Sequence, residues 1–79
     1  MSWNYRVMKR KTKDTNEEIV EFLEIHEVYY DSEGSIEWYT KNGVSVGGSD
    51  LGELRADLAH MLEALKKPIL DYEEDREKS

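Results

Sequence analysis

Between residues 51 and 65, Leu51, Leu54, Leu58, Met61, Leu62 and Leu65 recur at steps of three and four, the spacing that gathers apolar side chains on one face of an α-helix. It is the strongest periodic signal in the chain. Asp50 stands at the N-cap position with Glu53 three residues on, a capping box with Asp in place of the usual Ser or Thr. Lys66 and Lys67 fall where the helix dipole favours cations, and Pro68 marks the helix end. An amphipathic helix needs an apolar surface to lie on, and the segments before it supply one with a different period.

Trp3, Tyr5 and Val7 alternate with Asn4, Arg6 and Met8, the two-residue period of a half-buried strand, here over 3–11. A polar turn at 13–16 leads to a second strand over 18–30, rich in β-branched and aromatic residues. Pairing Val7 with Leu23 and Tyr5 with Ile25 sets Arg6 opposite Glu24 and Lys9 opposite Glu21. The turn at 31–35 leads to a third strand over 36–40, with Val28 near Trp38 and Tyr30 near Ile36. Leu23 and Ile25 occupy odd positions whereas Val28 and Tyr30 occupy even ones, so a bulge at His26 or Glu27 is expected to bring both sets to one face. Asn42-Gly43 has the composition of a tight turn and allows a short fourth strand over 44–46.

The charges follow these segments. Residues 1–13 hold five basic side chains and no acid, while residues 14–37 hold nine acids and neither Lys nor Arg. A basic strand facing an acidic strand explains that sorting without an external partner, at roughly 0.2–1 kcal/mol for each cross-strand pair. Arg10, Lys11 and Lys13 are left available.

A chain of 79 residues, 38% hydrophobic, makes one domain close to the lower size for independent folding. Without cysteine it has neither disulfides nor thiolate metal ligands, and the cytoplasm is its expected compartment. No apolar run reaches the roughly 20 residues of a membrane-spanning helix, and the first residues do not read as a signal peptide. The expected fold is α+β: a three-stranded antiparallel sheet, with room for a fourth strand, and one amphipathic helix on one face. The domain covers 1–70, and 71–79, with five acids, reads as a disordered acidic tail.

Residues with chemical potential are few. His26-Glu27 begins like the zincin motif H-E-x-x-H, but position 30 is Tyr and the segment is strand, so two histidines cannot meet one metal there. Glu24 and His26 share a strand face and suit a hydrogen-bonded structural pair; a small hydrolase built on His26 with Glu24 or Glu27 ranks last among the readings. Gly43 to Asp50 matches neither G-x-G-x-x-G nor a P-loop, and Asp50 puts negative charge where a phosphate would sit. Ser45 and Ser49 lack a nucleophile elbow. No metal, cofactor or catalytic residue is therefore expected. With a net charge of −7, direct nucleic-acid binding is not expected either.

The sequence points instead to interaction. One helix covers one face, and the other would carry Met8, Val20, Phe22 and Tyr29 or Tyr39, an apolar surface that a homodimer or a protein partner would cover. A second reading takes Glu17, Glu18, Glu21, Glu33 and Glu37 as phosphate surrogates of an acidic inhibitor directed at a nucleic-acid-handling enzyme.

Three stretches, Trp3-Asn4-Tyr5-Arg6-Val7, Ile25 to Asp31 (IHEVYYD) and Leu54 to Leu65 (LRADLAHMLEAL) followed by Lys67-Pro68-Ile69-Leu70, resemble a group of short, uncharacterised bacterial proteins. The β-β-β-α order also resembles, more loosely, the N-terminal domain of HicB-type antitoxins. The first likeness brings no activity with it; the second would imply an antitoxin role.

Overall fold

Regular alternation in the first thirty residues produces a long antiparallel hairpin of β1 (Ser2–Lys13) and β2 (Ile19–Tyr30). The computed structural model describes residues 2–73 and 76–78. The hairpin register runs unbroken from Ser2↔Tyr30 to Lys13↔Ile19 and pairs Val7 with Ile25, two residues away from the pairing expected with Leu23. The loop sets this. The Asp14 carboxylate accepts the amides of Asn16 and Glu18 at 2.8 and 3.0 Å, Asp14 and Glu18 bond through their backbones, and Glu17 takes a positive φ of 61°. The turn thus spans 14–18, longer than the expected 13–16, and its length fixes the register.

A two-residue slip leaves every side chain on its expected face but changes the charge partners. Arg6 faces His26 and Lys9 faces Leu23, while Glu21 lies directly opposite Lys11, 4.0 Å from its ammonium, and diagonally 3.9 Å from that of Lys9. Arg10 reaches Glu24 at 3.2 Å. The sorted charges do neutralise one another across the hairpin: the expected Lys9–Glu21 pair forms, diagonally, Arg10 takes the place of Arg6 on Glu24, and Lys11 is engaged as well.

At the far end Asp31 accepts the amides of Glu33 and Ser35, Gly34 adopts φ 83°, and β3 (Ile36–Thr40) returns beside β2. The bulge expected at His26 or Glu27 is absent; the irregularity falls at Tyr29/Tyr30 against β3. No bulge is needed because both faces of the sheet are covered. Odd residues such as Val7 and Ile25 lie on one side, and Met8, His26, Val28 and Tyr39 on the other.

The odd side receives α1 (Leu51–Ala64), whose Asp50 carboxylate accepts the Glu53 amide at 2.8 Å, as its capping sequence requires. Met61 and Ala64 are buried, as is Val7 of the strand it crosses. Tyr5 donates to Asp57 at 2.6 Å and fixes the helix over β1. Residues 44–46 form no strand; only the Val44 amide bonds, to Ile25.

The even side is closed by the C-terminal segment, expected to be a disordered tail from 71 onward. β4 (Leu70–Asp71) pairs in parallel with β1, and β5 (Glu77–Lys78) in parallel with β3. The sheet is therefore mixed, in the order β4-β1-β2-β3-β5, and not purely antiparallel. Between its two edges Tyr72 packs on His26 and Tyr39, with ring centroids at 5.4 and 5.1 Å, and Arg10 lies 4.0 Å over its ring. The Tyr39 hydroxyl donates to the Glu73 carbonyl. Leu70 and Tyr72 are the apolar residues of an otherwise charged segment, and they anchor it on Met8, Val28 and Tyr39. Of the expected tail, 74, 75 and 79 lie outside the described residues.

The strap formed by Leu70 to Glu73 is thus part of the core. Tyr72→Ala should lower stability by about 2–3 kcal/mol in a urea titration, in line with removal of a packed aromatic ring. A loss below about 0.5 kcal/mol, typical of a surface site, would contradict that role.

Candidate interaction surface

The even side of β2 concentrates polar chemistry in the core. His26 is fully buried; its Nδ1 lies 2.8 Å from the Thr40 carbonyl and its Nε2 2.7 Å from Glu24 Oε1. A carbonyl can only accept, so Nδ1 carries a proton and the ring is held at both nitrogens. Arg10 donates to the same Glu24 oxygen at 3.2 Å and to the Lys41 carbonyl at 2.8 Å. The expected Glu24–His26 pair is present, but His26 sits inside the core, not at a kink. Ile25, expected in the core with Val28 and Tyr30, points to the helix side.

Such an arrangement satisfies a buried polar ring on every side. It offers a substrate no approach, since no part of His26 reaches solvent. Glu27 lies on the opposite face of the sheet, where it accepts from Tyr29 at 2.7 Å, so His26, Glu24 and Glu27 do not converge. His60 is exposed on α1. Among the described residues no group of three His, Cys, Asp or Glu side chains could hold a metal ion, and no helix is long and apolar enough to cross a membrane.

The five acids of the phosphate-surrogate reading are all exposed but do not form one surface. Glu17, Glu18 and Glu21 lie at the hairpin loop, and Glu33 and Glu37 at the other end of β2. Most of the 12-residue strand β2 separates these groups, roughly 30–40 Å at about 3.3 Å per residue.

The five apolar interaction candidates also divide. Met8 and Tyr39 are sealed in the core beneath the strap, so neither is available to a partner. Tyr29 is half-buried on the helix side, stacked on Trp38 at 3.8 Å and beside Trp3 at 6.1 Å. Val20 and Phe22 remain exposed, on the part of the hairpin beyond both neighbouring strands. β4 stops pairing at Lys9, and β3 pairs with β2 only from Val28 onward, with Thr40 reaching no further than His26. The remaining two-stranded arm projects from a molecule 43 Å long.

The largest apolar exposure lies where the sequence reading placed core. Leu51, Leu58, Leu62 and Leu65 are between 50% and 68% exposed. At 100° per residue the six apolar positions from Leu51 to Leu65 lie within an arc of about 100°, but the helix meets the sheet along one margin of that arc and not at its centre. Met61, with Leu54 half-buried beside it, faces β1 together with Asp57 and Ala64, and the four leucines form a flank about a quarter turn away. Ile19 and Leu23 are exposed on the odd side of the arm, and Trp3, Val46 and Ile69 are exposed elsewhere.

The Tyr5–Asp57 bond holds the helix and hence the placement of this flank. It raises the Tyr5 hydroxyl to about 12, with burial and the Asp57 charge adding to the hydrogen bond. The same bond, with the Gly47 amide, holds Asp57 below its ordinary value. Tyr29 is raised by its hydrogen bond to Glu27.

Searches of protein-family models, curated proteins and solved structures gave no match to this chain.

Because the folded state holds the Tyr5 proton more tightly than the unfolded chain, the bond's stabilisation is complete below pH 10.0 and is lost as pH rises through about 12. Asp57, shifted the other way, contributes above 3.8, and that contribution is lost as pH falls through its lowered value. An ultraviolet tyrosinate titration should show a step near pH 12 that disappears in Tyr5→Phe. Persistence of that step in the variant would refute the assignment.

Proposed function

We propose that this chain is a small non-enzymatic protein-interaction module acting through the apolar surface its own fold leaves open. The observation that carries the reading is the exposed leucine flank of α1, in a domain whose strap and helix already cover the two sides of the sheet body. Exposed leucines scattered singly need no explanation, but a contiguous row on a rigid helix marks a contact surface. The polar groups support the same reading: His26, Glu24 and Arg10 are committed to one another and to backbone carbonyls.

The acidic-inhibitor reading draws no comparable support, because its carboxylates fall at opposite ends of β2 and Glu21 is shared between Lys9 and Lys11. Capture experiments separate the two. Immobilised wild-type protein should retain a binding protein, its own copies included, and Leu62→Glu should not, at unchanged circular dichroism. If retention is instead equal in both and is lost when Glu17, Glu18 and Glu21 become Gln, the inhibitor reading replaces this one; retention of nothing would remove both.

A further inference from the structure

The open apolar surface has two parts that face each other across one side of the sheet. His60 and Glu63 on α1, with Lys67 just after it, border a cleft shared with Trp3, Asn4 and Tyr5, so that flank looks toward the start of β1. Leu51, Leu58, Leu62 and Leu65 lie nearly opposite on the helical wheel and look toward the hairpin arm. There Ile19 and Leu23 stand on the same side of the sheet, and Ile69 adjoins Lys9 and Leu23. A ridge and a flat apolar strip meet at a corner.

We infer that a second copy of this chain fills that corner, the leucine ridge of each copy lying on the hairpin arm of the other about a two-fold axis. The inference rests on the interaction-module reading and names its partner. Two observations support it. The first is area: the chain exposes 5844 Å², whereas a monomer of its mass, 9.3 kDa, exposes about 5,000 Å². The excess, roughly 800–900 Å², is what each partner buries in a standard interface, about 800 Å².

The second is length. The ridge from Leu51 to Leu65 spans about 20 Å at 1.5 Å per residue, and the arm from Ile19 to Ile25 about 20 Å at 3.3 Å per residue. Each copy carries one ridge and one arm, so a two-fold arrangement closes with both covered and leaves no free end. A lone two-stranded ribbon is marginal in water, and a covering helix supplies the third layer it lacks.

Sedimentation over a micromolar concentration series, with Leu58→Glu and Leu23→Glu, tests this. Both sites are exposed in the single chain, so each variant should keep its circular dichroism and melting midpoint. The wild type should approach twice 9.3 kDa, and each variant should dissociate at least about tenfold more readily. An equimolar mixture of the two should associate more tightly than either alone, because the mixed dimer keeps one ridge and one arm intact. Dissociation by Leu58→Glu with no effect of Leu23→Glu would overturn the ridge-on-arm geometry. A strictly monomeric wild type would overturn the second copy as occupant; if Leu62-dependent capture of another protein then persisted, the interaction-module reading would survive without it.

Discussion

The contact on which the rest of this structure depends is that of the Tyr72 ring against His26 and Tyr39. It turns the C-terminal segment into a second cover, opposite the helix, over a sheet whose three longer strands alone would leave Met8, Val28 and Tyr39 in water. Parallel pairing of Leu70 beside Met8 sets the strap's entry, and the Tyr39 hydroxyl meeting the Glu73 backbone holds its course. With one face under the helix and the other under the strap, the small sheet has an interior on both sides.

That double cover explains the polarity of the core. The stretch EIHEVYYD reads like chemistry because a two-residue period places His26 and Glu24 on one side and Glu27 and Tyr29 on the other. Under the strap, the first pair needs partners to offset desolvation. The Thr40 carbonyl and the Arg10 guanidinium supply them, and the Lys41 carbonyl holds Arg10 in turn. The histidine thereby links β2 to the end of β3, a structural task that accounts for all of its hydrogen-bonding capacity.

Much of the fold was legible in the sequence, for physical reasons. Strand alternation, the Asp50 cap and the Asp31 turn are local signals, and β3 falls on 36–40 as the alternation indicates. The register was not, since it depends on the Asp14 loop and the left-handed backbone of Glu17, which composition does not encode. The bulge expected at His26 followed from assuming a single buried face. Assignment of Met8 and Tyr39 to an open surface rested on the same premise, and Leu70 and Tyr72 remove it. On the helix, counting apolar steps merged two flanks that differ by a quarter turn, so the row expected in the core became the row left outside.

What stays open is therefore defined by what the chain closes: chiefly a leucine flank and a hairpin arm with exposed apolar residues on both of its faces. The most direct measurement is the broadening of methyl resonances by a soluble nitroxide in dilute protein, which reports solvent access atom by atom. The methyls of Leu58 and Leu62 should broaden strongly while those of Met8 and Val28 stay sharp. Strong broadening of Met8 and Val28 with protected leucines would mean that the strap does not close its face and that the helix is turned the other way.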